Sequence, residues 1–288
     1  MSSELPTLAV TGSTGGLGGR VARRLAASDI AQRLLVRDLA RAPRLDAAAP
    51  VLFGGYADRV GATEALAGVT TVFMVSGSES ADRLDQHRAF VDAAADAGVR
   101  HIVYTSFHGA APDATFTLAR DHFATEEHVL RSGLEWTFLR DNLYLDFFPH
   151  LVGEDGVIRG PAGDGVVSAV SREDIAAGAA EVLAEPGAHV ATTYHLTGPE
   201  ALSLAEAAQT LAAALGREVR YHAETVEEAY ESRRKWPAPD WQYDAWVSTY
   251  TAIAAGELAE VTDDVLTLTG HRPASLSDLL ADHDGSET

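Results

Sequence analysis

The chain has 288 residues, of which 46% are hydrophobic, so it is long enough for one large domain or for a domain with a smaller lobe. Its 42 acidic side chains against 22 basic ones give a formal net charge of −20, which disfavours nucleic acid or an anionic membrane as the main partner. Cysteine is absent, so disulfides, thiolate nucleophiles and cysteine-ligated metals are excluded.

The chain carries no recognisable targeting or membrane-spanning segment. Residues 1–6 lack the basic and apolar stretches of a secretion signal, and no apolar run approaches the length of a membrane span. A cytoplasmic protein that acts on a small molecule is therefore expected, without a nucleic-acid or membrane partner, and a homodimer stays open.

The first half alternates short apolar runs with longer amphipathic segments. The runs are nearly continuous and rich in Val, Leu, Ile and aromatic residues, which is typical of strands buried on both faces of a parallel sheet. Strands are predicted at 7–11, 33–37, 50–53, 71–76, 101–106 and 136–140, and helices at 17–27, 83–97 and 118–131. This alternation predicts an α/β fold with a doubly wound parallel sheet, a Rossmann domain.

After residue 140 the pattern changes. The Gly-rich segment 153–165 is expected to form a hairpin or loop, and Ser171 is placed to cap the start of a helix. Residues 192–198 predict one more strand of the main sheet. From Ser203 onward, helical patterns around a short strand predict a smaller, mostly helical C-terminal lobe. The predicted Rossmann domain therefore comprises 1–150 with 166–198, and the smaller lobe 199–288 with 151–165.

Five glycines fall within the eight residues from Gly12 to Gly19, where the first strand gives way to a helix. Gly12 allows a tight turn, Gly15 lets backbone N–H groups approach a pyrophosphate, and Gly18 permits close packing of helix on strand. The positive end of the helix favours the same anion. A dinucleotide site is predicted at Gly12, Ser13, Thr14, Gly15, Gly16, Leu17 and Gly18. The alternative is a flexible surface turn with accidental spacing.

The end of the second strand bears on the choice between NADP(H) and NAD(H). Arg37 can hold an adenosine 2′-phosphate by charge-assisted hydrogen bonds, with Arg41 as an auxiliary. Asp38 can instead accept from the ribose hydroxyl of NAD, and it lies near the expected offset from the glycine loop. The basic pair Arg37 and Arg41 in an otherwise acidic chain favours NADP(H), and NAD(H) stays open. The alternative is that these residues form a solvated charged turn without a cofactor role.

Three longer motifs are more specific than the glycine loop: "YTSFHGA" at 104–110, "HFATEEHVLRSGLEWTFLRDNLY" at 122–144 and "GPAGDGVVSAVSREDIAAGAAEVL" at 160–183. By these motifs the chain resembles, over almost its full length, the NmrA-like atypical short-chain dehydrogenases/reductases. Within that group it is most similar to the bacterial NAD(P)H:quinone oxidoreductases of type 2. It departs from the pattern at Gly16, where Gln or Asn is frequent, and at Gly55, where an acidic residue is common.

The resemblance implies where cofactor and substrate bind. The residues after the fourth strand run beside the nicotinamide ribose, and those after the sixth strand line the nicotinamide and substrate pocket. Further cofactor contacts are thus expected at Ser76, Gly77, Ser78, Asp141 and Asn142. The first domain then binds NAD(P), and the smaller lobe contributes to substrate binding.

The chain cannot contain the Tyr-x-x-x-Lys pair by which short-chain dehydrogenases protonate ordinary ketones, because its one lysine is Lys235. His122 and Glu126 lie one helical turn apart at the corresponding place, so Glu126 can orient His122 as a proton donor. A surface ion pair is the alternative. The spacing of His108, His122 and His128 matches no metal-ligand set, so no metal is expected.

A missing acid favours a substrate whose reduced anion is delocalised, such as a quinone. The catalytic candidates are His122, Tyr144 and Ser106; for Ser106, a pocket hydrogen-bond donor and a strand-end role are both open. Substrate contacts are expected from Phe107, His108, His122, Asn142, Tyr144 and Phe147, with core packing as the alternative for the aromatic rings.

Two classes of function follow. The first is an NAD(P)H-dependent oxidoreductase that transfers hydride to a quinone or a similar electron-poor conjugated compound. The second is a non-enzymatic NmrA-like regulator that senses NADP(H). A tailoring reductase of secondary metabolism is a variant of the first that differs in substrate.

Overall fold

The computed structural model describes residues 5–284. The strands are β1 Leu8–Val10, β2 Gln32–Val36, β3 Ala48–Leu52, β4 Thr71–Met74, β5 His101–Phe107, β6 Glu135–Asp141, β7 Val157–Gly160, β8 Val166–Val167, β9 Thr192–Leu196, β10 Leu202–Ser203 and β11 Arg220–Ala223. The α-helices are α1 Gly16–Ala27, α2 Arg59–Ala65, α3 Arg83–Asp96, α4 Thr117–Ser132, α5 Arg172–Ala184, α6 Leu204–Leu215, α7 Val226–Arg233, α8 Asp240–Ala254, α9 Asp264–Thr269 and α10 Leu276–Asp284.

Seven strands form the main sheet in the order β3-β2-β1-β4-β5-β6-β9. The pairs β2–β3, β1–β2, β1–β4 and β4–β5 are parallel. The strand order reverses between β1 and β4, and ligands of doubly wound sheets bind beside such a reversal, at the carboxyl ends of the strands. The predicted doubly wound α/β Rossmann fold is confirmed, and β9 joins the sheet as expected.

The core lies where the apolar runs predict it. Every residue of β1, β2, β4 and β5 is buried, as expected for strands covered on both faces. Phe90 from α3 belongs to the same buried hydrophobic cluster as Met74, Ile102 and Tyr104 of the sheet. Strand β3 is only partly buried because it lies at the edge of the sheet.

The chain divides into two compact units. The first comprises Met1–Phe107, Asp121–Arg140 and Ile175–Tyr194, and the second His108–Arg120, Asp141–Asp174 and His195–Thr288. The first unit holds most of the main sheet. The second contains five complete helices, α6–α10, and two small sheets. This division places 108–120 and 141–150 in the second unit, whereas the sequence-based boundaries place them in the Rossmann domain.

A hairpin or a loop was expected for the segment 153–165 of the second unit, and the structure shows no hairpin there. Its strand β7 pairs in parallel with β11, and β8, which follows it, pairs antiparallel with β10. These partners lie far along the chain, so local turn signals could not identify them. The predicted cap is confirmed, since the Ser171 hydroxyl oxygen accepts from Asp174 N–H at 3.0 Å. No helix within residues 5–284 is long and apolar enough to cross a membrane.

Candidate functional site

The glycine loop follows β1 and leads into α1. Gly12 has a φ of +65°, a conformation that L side chains rarely adopt, so the tight turn requires glycine here. A Cβ atom on Gly18 would lie 2.5 Å from the Gly12 carbonyl oxygen. The helix therefore approaches the loop too closely for any other residue at Gly18, as the motif predicts.

This loop has the features of an anion site. Helix α1 begins after Gly15 without a side-chain cap and without an acidic residue in its first turn. Its amino end is thus open to a negatively charged group. The Ser13 hydroxyl is buried and has no hydrogen-bond partner among the described residues. An orphaned buried hydroxyl beside a glycine cradle fits a dinucleotide pyrophosphate.

A cleft of about 400 Å³ extends from this loop along the carboxyl ends of β1, β2 and β4. All of its walls belong to the first unit. They comprise residues 12, 14, 35–37, 53–57, 75–78, 80 and 86. The predicted cofactor residues Gly12, Thr14, Arg37, Ser76, Gly77 and Ser78 are therefore brought together around one cleft.

At the end of β2, the two candidates for reading the adenosine ribose differ in their surroundings. Arg37 is exposed and lines the cleft. The Asp38 carboxylate instead caps the short 3₁₀ helix Leu39–Arg41, accepting from Ala40 N–H at 2.9 Å. The Asp38 carboxylate, which would recognise the ribose of NAD, is thus already hydrogen-bonded within the protein. Arg37 instead faces the cleft, where a 2′-phosphate would lie.

Tyr56 is a cleft residue that motif reasoning did not select. Its hydroxyl donates to the Val75 carbonyl oxygen at 2.5 Å and lies 2.6 Å from Thr11 Oγ1. Burial raises the pKa of Tyr56, so it stays a neutral donor. Tyr56 therefore ties together the segments that follow β1 and β4, the two sides of the strand-order reversal.

Two side chains of α3, also not selected from sequence, hold the Gly77 peptide. Gly77 N–H donates to His87 Nε2 at 2.8 Å, and Arg83 Nε donates to the Gly77 carbonyl oxygen at 2.9 Å. Both side chains are buried. The sequence pattern that could have identified them is their spacing of four residues, which places both on the helix face that also carries Phe90. Polar residues on such an apolar face need buried hydrogen-bond partners.

The predicted relay from Glu126 to His122 is wrong, and so is the surface ion pair weighed against it. His122 is buried; its Nε2 accepts from the Arg83 guanidinium at 2.8 Å, and its Nδ1 lies 3.0 Å from the Tyr104 hydroxyl. Since a guanidinium only donates, the ring proton resides on Nδ1. Burial, then the nearby Arg83 charge, holds the pKa of His122 well below its usual range, so the ring is neutral near pH 7.

Glu126 has different partners. Its carboxylate accepts from Arg140 at 2.5 and 2.8 Å, and from the Ser106 hydroxyl at 2.5 Å. Ser106 thereby commits its one hydrogen to a buried ion pair. This arrangement matches the strand-end role that was one of the two interpretations of Ser106, rather than a pocket donor. Phe107, at the end of β5, is buried with its ring centroid 5.9 Å from that of His122.

In the second unit, Asp141 and Tyr144 form a pair. The Tyr144 hydroxyl donates to Asp141 Oδ2 at 2.7 Å, while Asp141 Oδ1 is buried without a hydrogen-bond partner among residues 5–284. Burial raises the pKa of Asp141 to about 7. Asp141 therefore exchanges a proton near neutral pH, unlike an ordinary aspartate.

The Asn142 side chain is fully engaged within the protein. Its amide nitrogen donates to Ser168 Oγ at 2.9 Å and to the Leu258 carbonyl oxygen at 3.0 Å, and its oxygen accepts from Leu143 N–H at 2.8 Å. These bonds join distant segments of the second unit. The amide predicted to touch cofactor and substrate instead has a structural role.

The remaining substrate candidates of the second unit differ in exposure. Tyr144 and Phe147 stack with ring planes 14° apart, and Phe147 is half exposed. The Arg172 guanidinium lies 5.1 Å from the Phe147 ring centroid. His108 is buried, with its Nδ1 3.1 Å from that of His195. In the described part of the chain, no group of three or more His, Asp or Glu side chains is arranged to hold a metal ion.

Comparisons with known proteins agree with this geometry. The model of the NAD(P)H-binding family matches residues 12–186. The NAD(P)H azoreductase of Xenophilus azovorans is 36% identical over 269 residues, which cover 92% of this chain and 93% of the azoreductase. A crystal structure of an NADPH-dependent quinone oxidoreductase from Escherichia coli, complexed with NADPH, aligns with a TM-score of 0.86 at 31% identity and covers 96% of this chain and 99% of its own. The transcriptional regulator NmrA aligns with a TM-score of 0.76 at 18% identity, covering 99% of both chains, and shares the fold alone.

Proposed function

Because the chain belongs to the NAD(P)H-binding family, we propose that it is an NADPH-dependent reductase that transfers hydride to a quinone or a similar electron-poor conjugated compound. The resemblance to quinone oxidoreductases is confirmed by the reductase relatives. The observation that carries the proposal is the cleft of the first unit, in which the glycine loop and Arg37 line the same cavity. The names of the azoreductase and the quinone oxidoreductase support a conjugated acceptor.

The chain's own residues bind and orient the cofactor in this proposal. The bound reduced nicotinamide supplies the hydride. Backbone N–H groups after Gly12 and the Ser13 hydroxyl hold the pyrophosphate, and Arg37 binds the 2′-phosphate. His87 and Arg83 fix the Gly77 peptide from its two polar sides, which keeps that wall of the cleft in place beside the ribose.

The class of acceptor is inferred from the side chains that could donate a proton to the reduced substrate. An unactivated ketone becomes a strongly basic alkoxide on hydride addition. The chain lacks the Tyr-x-x-x-Lys pair that would protonate it, because its one lysine is Lys235 and the residue four positions earlier is Glu231. A quinone becomes a delocalised anion that is far less basic. His122, neutral and bonded to Arg83 and Tyr104, gives no support to a demanding proton transfer.

A panel of acceptors under anaerobic conditions tests the proposal. Protein and NADPH are mixed with benzoquinones, naphthoquinones, azo dyes, simple ketones and aldehydes, and the loss of reduced-nicotinamide absorbance is followed. We expect oxidation with the quinones and little with ketones or aldehydes. Binding of NADPH without oxidation by any acceptor would contradict a reductase and favour a sensor.

We further propose a small-molecule substrate, a cytoplasmic location and a homodimer. The reductase relatives support the small-molecule substrate. Location and dimer rest on the sequence-based expectations. Light scattering on the purified protein distinguishes a dimer from a 30.5 kDa monomer.

A further inference from the structure

Basic residues are concentrated at the beginning of the chain, in the segment that carries the glycine loop. Residues 1–45 contain seven basic and three acidic side chains, which give a formal charge of +4. Residues 46–288 contain 15 basic and 39 acidic side chains, which give −24. NADPH is a polyanion, because its pyrophosphate and 2′-phosphate groups are ionised near pH 7. The protein as a whole therefore repels NADPH, whereas the segment that forms the cofactor cleft attracts it.

Two exposed arginines accompany Arg37 at this cleft, and all three belong to the first unit. A Cβ atom on Gly19 would lie 3.0 Å from the Ser13 carbonyl oxygen and 3.4 Å from Arg23 Nη1. The Arg23 guanidinium thus turns back along α1 toward the glycine loop, the usual direction of long helical side chains. Arg41 is the last residue of the short 3₁₀ helix that follows Arg37. We call Arg23, Arg37 and Arg41 the arginine rim.

The arginine rim differs from most of the chain's arginines because its charges are unpaired. Among the described residues, no carboxylate lies within ion-pair distance of any of the three guanidinium groups. After residue 45, ten arginines pair with Asp or Glu, namely those at positions 59, 83, 88, 100, 131, 140, 159, 172, 233 and 234. The nearby Asp38 carboxylate instead accepts from Ala40 N–H. The positive charge of the arginine rim therefore stays available to an approaching anion.

We propose that the arginine rim steers NADPH into the cleft: Arg23 and Arg41 raise the rate of association through their charge, and Arg37 then binds the 2′-phosphate. This role rests on the proposed binding of NADPH in the cleft and is independent of the acceptor. Screening decides between local attraction and overall repulsion. At about 0.15 M salt the Debye length is about 8 Å, so charges farther than that from the cleft are largely screened. The rim charges beside the cleft still act on the phosphates as they enter.

The kinetics of NADPH association, measured without an acceptor, test this role. Stopped-flow mixing with the Arg23→Gln/Arg41→Gln double variant is followed by nicotinamide fluorescence. At about 0.15 M salt we expect an association rate constant about three- to tenfold below that of wild type, with the dissociation rate constant nearly unchanged. The loss is smaller for NADH, which lacks the roughly two negative charges of the 2′-phosphate.

A matched control removes the same charge from the opposite edge of the sheet. Arg100 and Arg131 belong to the first unit and are 66% and 70% exposed. Arg100 directly precedes β5, and Arg131 lies in the last turn of α4, shortly before β6 begins. Both therefore lie at the amino ends of the strands, away from the cleft. The Arg100→Gln/Arg131→Gln variant is expected to bind NADPH at the wild-type rate.

The salt dependence of wild type gives a second, independent result. Raising the salt from about 0.15 M to about 1 M shortens the Debye length from about 8 Å to about 3 Å, so local attraction predicts slower association. Faster association at high salt, or equal rates for the two double variants, would overturn the steering role. Faster dissociation with unchanged association in the rim variant would also overturn it, since the arginines would then be contacts of bound NADPH. Steering as expected, without reduction of any quinone by wild type, would instead contradict the reductase.

Discussion

The Gly77 N–H lies 2.8 Å from His87 Nε2, and this hydrogen bond keeps the His87 ring neutral. The ring's other nitrogen lies 2.9 Å from Thr125 Oγ1, so its one hydrogen resides on Nδ1. Burial lowers the pKa of His87 to about 3. A wall of the proposed cofactor cleft is thus fixed by a histidine that must stay uncharged.

This relationship predicts acid sensitivity. The folded-state pKa of His87 lies below its unfolded value of about 6.5, so its contribution to stability is complete above pH 6.5 and is lost as the pH falls toward 3. Over that window, wild type loses up to about 1.4 kcal/mol of unfolding free energy per pH unit relative to His87→Gln. Urea unfolding at pH 7, 6 and 5 measures the difference, and parallel pH dependences of the two proteins would refute it.

Arg37 is predicted to confer preference for NADPH. Arg37→Ala should weaken NADPH binding by about 1.5–3 kcal/mol, the range for hydrogen bonds to charged groups, and leave NADH binding nearly unchanged. Calorimetric titration of both cofactors measures this. Equal losses for the two cofactors, or no loss for either, would show that Arg37 does not bind the 2′-phosphate.

Binding of NADPH by the glycine loop is predicted to require that Gly15 carry no side chain. A Cβ there would lie 3.2 Å from the Gly12 carbonyl oxygen, which a small shift relieves, but the valine methyls would occupy the space of the pyrophosphate. Gly15→Val should therefore fold and lose detectable binding of NADPH. Gly187→Val, at a glycine with open space around it, is the control. Wild-type nucleotide affinity in Gly15→Val would exclude the phosphate cradle.

His122 is predicted not to be the acid. Because its ring is neutral and its Nε2 accepts from Arg83, His122→Ala should reduce turnover of a simple quinone less than tenfold, under about 1.4 kcal/mol of transition-state stabilisation. A general acid is worth about 10²–10⁴-fold. His128→Ala, on the same helix and paired with Asp92, controls for helix stability. A hundredfold loss at saturating NADPH, with folding and cofactor affinity unchanged, would make His122 the donor.

Sequence patterns were sufficient to predict those parts of the structure that are determined by residues close together along the chain. The strands of the main sheet and the glycine turn follow from apolar runs and from backbone positions such as Gly12, where only glycine fits. The hydrogen-bond partners of buried polar groups could not be predicted from these patterns. Helical spacing paired His122 with Glu126, but each has a partner elsewhere, Arg83 and Arg140, at sequence separations of 39 and 14. The orphan oxygen of Asp141 likewise depends on burial, which no motif records.

We infer that the cleft binds NADPH in order to reduce a conjugated acceptor. The most direct measurement is the stoichiometry of a limited anaerobic reaction, in which a fixed amount of NADPH is mixed with excess quinone and both NADP⁺ and hydroquinone are quantified by chromatography. We predict one hydroquinone formed for each NADPH consumed, at a rate that Gly15→Val abolishes. Tight NADPH binding without hydroquinone formation from any quinone, in wild-type protein, would contradict a reductase.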